Sequence, residues 1–133
     1  MKFLNAWTLE IDEPEIAVSE IIQQLDLENN LQKNAAGFLT CSYDYIESGI
    51  VKAISEALPF EVVGCTTLTN ANNAEAGTML LCLTVFTADD CRFATAVSGS
   101  MLGDVEGEIA AAAAKAKSDL GETAGMAFAF MPF

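Results

Sequence analysis

The chain has 133 residues, enough for one domain with a sizeable core. Its 19 acidic and 6 basic residues give a formal charge of −13. That excludes nucleic acid and anionic membrane surfaces as natural partners, since both are bound through basic patches. With no His, the chain has neither a His-based zinc site nor a Ser-His or Cys-His catalytic pair.

The apolar content is high, at 52% of residues with a mean hydropathy of +0.33. Even so, the longest apolar stretches, 79–86 and 124–133, fall short of the roughly 18 residues of a spanning helix. Lys2 is followed too soon by Asn5, Asp12 and Glu13 for a secretion signal. The expectation is a cytoplasmic protein with no membrane insertion, in which Cys41, Cys65, Cys82 and Cys91 are reduced.

Residues 1–11 alternate as a strand. Asp12-Glu13-Pro14-Glu15 then reads as a helix start, with an Asp cap, Pro in the first turn and carboxylates against the helix dipole. Ile16, Val18, Ile21, Ile22 and Leu25 give that helix an apolar stripe through about Leu27. Residues 35–41 form an apolar run of strand length. Ile46, Ile50, Ile54 and Leu58 predict a second helix over 45–58, stopped by Pro59, and 60–64 is a third strand.

The polar stretch 66–76 is long for a simple connection. The strongest strand pattern covers 77–87. Asp89-Asp90 predicts a turn, with 91–97 pairing back as a hairpin. A third helix is expected over 104–120, alanine-rich and closed by Gly121, followed by a last strand over 124–130. The order β-α-β-α-β-β-β-α-β predicts an α/β fold, a mixed sheet with helices packed over it, and a single domain over 1–133. Trp7 and the phenylalanines read as core.

Two segments share one design, an apolar strand running into small polar residues: Gly37-Phe38-Leu39-Thr40-Cys41-Ser42-Tyr43-Asp44 and Phe60-Glu61-Val62-Val63-Gly64-Cys65-Thr66-Thr67. One helix separates them, so the strands are expected to be parallel, with their carboxyl ends on one rim. Ligands of open α/β sheets bind outside such ends. Gly64 lets the backbone approach closely, Gly64 and Cys65 offer backbone N–H groups, Ser42, Thr66 and Thr67 offer hydroxyls, and Tyr43 walls the pocket. The alternative is an ordinary strand-to-loop turn whose hydroxyls satisfy local backbone. Cys65 has no base or cation nearby to activate it, and Asp44 with Glu47 reads as helix-start chemistry, so no catalytic residue, metal site or cofactor is expected.

The run Leu58-Pro59-Phe60-Glu61-Val62-Val63-Gly64-Cys65-Thr66-Thr67 resembles the hallmark of the FIST domain, in its N-terminal half. The strand leading to Ser42-Tyr43-Asp44 and the segments 79–86 and 92–97 are also similar to that family, so the likeness spans about residues 35 to 100. Leu68-Thr69-Asn70 departs from the Gly and acidic residue that usually follow the hallmark, and the C-terminal companion half is absent. The resemblance implies a non-enzymatic sensory input domain for amino acids or similar small polar solutes, with Gly64, Cys65, Thr66 and Thr67 marking the site. The partners expected are that ligand and either a second copy, as a homodimer, or the missing companion domain. The rival expectation is a self-association module without a small ligand, pairing through the apolar C-terminal strand and the hairpin edge.

Overall fold

A computed structural model describes residues 1–99, 102–121 and 123–130. The elements run β1 (Lys2–Thr8), α1 (Pro14–Leu25), α2 (Leu27–Asn30), β2 (Asn34–Cys41), α3 (Asp44–Glu47), α4 (Ile50–Ala57), β3 (Val62–Thr66), β4 (Asn70–Ala71), β5 (Ala76–Gly77), β6 (Leu81–Ala88) and α5 (Val105–Leu120). This is an α/β fold around a mixed sheet.

Local chemistry explains most of the element boundaries. Pro14 occupies the first turn of α1, and Ala17, Ile21 and Leu25 recur every four residues on its buried side. The expected Asp12 cap is not formed. Instead the Glu10 carboxylate accepts from the backbone N–H groups of Asp12 (2.9 Å) and Glu13 (3.0 Å), which holds it below the usual carboxylate range. The predicted second helix is two, α3 and α4, because Gly49 adopts φ 82° between them. Asp104 caps α5 by accepting from the Gly107 N–H at 2.9 Å.

The main sheet has the order β1-β6-β2-β3, with β6 antiparallel to both neighbours and β2 parallel to β3. Its inner face presents Ala6, Leu39, Cys41, Leu81, Leu83 and Val85 to Ile21 and Leu25 of α1 and Ile50 and Ile54 of α4. Each of the Leu, Val and Ile side chains among these contributes roughly 1.5–3 kcal/mol through burial. The outer face presents Phe3, Asn5, Trp7, Phe38, Thr84 and Phe86, and no strand position on it carries a charge. Trp7 is half-buried and Phe3 is exposed, so neither belongs to the core.

Two expected strands are absent. Residues 91–97 have no regular structure, because a hairpin partner needs a free edge on β6 and β1 and β2 occupy both. Residues 124–130 are not a strand either. They cross the outer face, with Phe130 stacked on Phe38 (centroids 3.8 Å apart) and Phe128 tilted toward Phe86 (6.0 Å). The strand expected over 77–87 begins at Leu81, because Ala76–Gly77 pairs with Asn70–Ala71 as a small separate hairpin.

Candidate functional site at the carboxyl rim

Register brings the two polar strand ends together. Cys41 lies opposite Thr66, and the Thr67 N–H donates to the Cys41 carbonyl at 2.8 Å, one bond beyond the β3 ladder. Gly64 is what allows this approach. A Cβ there would stand 1.8 Å from the Leu39 carbonyl oxygen, so no other residue fits. The Gly-Cys-Thr-Thr segment is thus fitted first to the neighbouring backbone, whatever else it does.

Of the six predicted site residues, Ser42, Thr66 and Thr67 gather at this rim. Ser42 Oγ lies 3.9 Å from Met79 Sδ, Thr66 is exposed, and Thr67 is half-buried with its hydroxyl shielded from solvent and no hydrogen-bond partner among the described residues. Gly64 and Cys65 lie within β3, one turn of the pleat back, and strand alternation sends Cys65 to the outer face beside Thr40. Tyr43, expected to wall the pocket, points largely to solvent and is 61% exposed.

The tyrosine that matters structurally is Tyr45, which the sequence reading passed over. It is fully buried, and its hydroxyl is within 3.1 Å of the Thr8 carbonyl and 3.3 Å of the Met79 carbonyl, tying the end of β1 to the approach to β6. Burial, with the neighbouring Cys41 thiol, pushes its phenol up to about 12. Burial likewise pushes the Cys41 thiol up to about 11, so it stays protonated and non-nucleophilic at neutral pH.

The connection from β3 to β6 folds over the same rim. Asn70 Nδ2 donates to the Leu80 carbonyl at 2.8 Å, and Asn72 Oδ1 accepts from the N–H groups of Ala74 (2.6 Å) and Glu75 (2.8 Å), closing the small hairpin. Asn72 Nδ2 is buried without a partner among the described residues.

Two cavities lie away from these residues. One of about 470 Å³ is bounded by Trp7, Leu9, Glu10, Glu20, Gln23 and Gln24 beside β1. A polar one of about 320 Å³ at the opposite end of the sheet is bounded by residues including Gln32, Lys33, Phe60 and Arg92. Among the described residues, no group of three His, Cys, Asp or Glu side chains is placed to hold a metal, and no helix is long and apolar enough to cross a membrane. The fold and rim define an α/β unit with a polar strand-end cluster. The chain has no significant match to a family model, a curated protein or a solved structure.

Proposed function

We propose that the chain is a non-enzymatic, cytoplasmic sensory module that binds a small polar solute, of the amino-acid type, at the carboxyl rim of β2 and β3. The observation that carries this reading is the Thr67 hydroxyl, buried and unpartnered where Thr67 N–H meets the Cys41 carbonyl. A buried hydroxyl without a partner costs about 1–3 kcal/mol, and a ligand that accepts or donates there recovers it. The resemblance of Gly64-Cys65-Thr66-Thr67 to the FIST hallmark supports the same residues. A net charge of −13 favours a zwitterion or neutral solute over a dianion.

The test is a thermal-shift screen of the chain against amino acids and neutral metabolites, followed by calorimetric titration of any stabilising compound. Ligand binding only the folded state raises its stability by mass action, so a class-specific shift is expected. The reading fails if no compound shifts the transition, or if the shift survives Thr67→Val and Ser42→Ala together.

A further inference from the structure

The two sheet faces are covered unequally. α1 and α4 bury the inner face, while on the outer face the described residues place the aromatic segment ending at Phe130 against Phe38 and Phe86. That cover is one side chain thick. Phe128 and Phe130 remain 69% and 55% exposed even as they contact Phe86 and Phe38. α5 has no buried residue, and its Val105, Ile109 and Ala113 form an exposed apolar stripe spaced four apart. A thinly covered sheet face and a helix with no buried residue therefore occur in one chain.

Area says how large the missing contact is. The chain exposes 8541 Å². A compact monomer of 14.1 kDa exposes about 6,700 Å². The excess of about 1,800 Å² is more than the roughly 800 Å² that each partner gives to a standard interface. Charge then says what can fill it. Residues 1–90 hold 14 acidic and 3 basic side chains, whereas 91–133 hold 5 and 3. The strand positions of the outer face carry no charge, so a second copy of this acidic chain meets no strand carboxylate there. Although α5 bears Glu106, Glu108 and Asp119 beside Lys115 and Lys117, its Val105, Ile109 and Ala113 stripe is apolar.

We propose that the outer face is the interface of a homodimer in which the apolar stripe of each α5 lies against the Phe3, Trp7, Phe38 and Phe86 surface of the other copy. The contact is isologous, each copy supplying both a face and a helix, as two-fold symmetry requires. It uses the face of the sheet and not its edge. Among the described residues, neither 91–97 nor 124–130 forms the strand that the edge route expected.

Sedimentation equilibrium of the full chain over a wide concentration range tests this. A mass twice that of the 14.1 kDa chain is expected, with association tightening as salt screens the like charges. Thr84 lies at the centre of the face, between Asn5 and Phe38, so Thr84→Glu places a carboxylate in the interface and is expected to weaken dimerisation at least tenfold. Lys52→Glu, at an exposed helix position, adds twice the negative charge elsewhere and is expected to leave the dimer intact. Circular dichroism of both variants reports that each is folded. A monomeric mass at every concentration overturns the proposal, and so does a dimer that Thr84→Glu and Lys52→Glu affect equally.

Discussion

The side-chain amide of Gln24 in α1 bonds both backbone groups of Trp7 in β1: its Oε1 accepts from the Trp7 N–H at 3.1 Å, and its Nε2 donates to the Trp7 carbonyl at 2.7 Å. A neighbouring strand would make the same two bonds, so Gln24 imitates a strand at one point along the exposed edge of β1. Such blocking is one means by which sheets avoid adding foreign strands. Gln24→Leu leaves those two edge groups to water. It is expected to cost about 1–2 kcal/mol in urea denaturation and to raise turbidity on prolonged incubation. Unchanged stability and solubility would show the pairing to be incidental.

Gly64→Ala forces a methyl group onto the Leu39 carbonyl, at the 1.8 Å separation noted above. Backbone has no rotamer with which to yield, so β3 must move away from β2. A loss of about 3 kcal/mol or more is expected, measured by the urea midpoint. By contrast Gly77→Ala, where a Cβ meets nothing, should cost under about 1 kcal/mol. Equal effects at the two positions would contradict the close approach.

Thr67→Val removes the unpartnered hydroxyl and keeps the shape of the side chain. In the ligand-free chain it is expected to raise stability by about 1 kcal/mol, because an orphaned buried polar group is relieved. In the presence of the solute found by screening it is expected to lose most of the calorimetric signal. A variant that is both more stable and unable to bind is the signature of a site residue. One that is destabilised would place Thr67 in the fabric of the loop.

Alkaline unfolding follows from Tyr45 and Cys41. Both are acids whose folded-state values are raised, to about 12 from 10 and to about 11 from 9, so the folded chain holds these protons more tightly than the unfolded one. Their contribution is fully present below the unfolded values and is lost as pH rises, from about 9 to 11 for Cys41 and from about 10 to 12 for Tyr45. Each is worth up to about 3 kcal/mol across its window. Tyr45→Phe should flatten the upper part of the stability profile, while costing about 1–3 kcal/mol at neutral pH by orphaning the Thr8 and Met79 carbonyls. A profile identical to that of the parent chain above pH 10 would rule out the phenol as its source.

The elements from β1 to β3 were legible because their signals are local: the four-residue spacing of Ile21 and Leu25, the strand-length run at Asn34–Cys41 and the stop at Pro59. The parallel pairing of β2 and β3 followed from the single helical crossover and is observed. The region after Ala88 was not legible, because residues 91–97 have a strand-like pattern but no edge to join, and edge occupancy depends on β1, some 80 residues away. At the rim, the sequence indicated where Ser42, Thr66 and Thr67 converge. It misjudged Tyr43, since the turn at Ser42-Tyr43 leaves that ring outside and buries Tyr45 instead. Small residues at strand ends announce themselves, whereas the direction of a side chain after a turn depends on the turn.

The position of β6 has a consequence for how the chain comes to be folded. It is the last strand of the main sheet in sequence and yet lies between β1 and β2, which are joined only through it. During synthesis, β1 has no partner until Leu81–Ala88 arrives to fill the gap. Any chain truncated before residue 81 leaves β1 without a strand neighbour, held by α1, and the β2-β3 pair alone, so assembly of the sheet is deferred to a single late event.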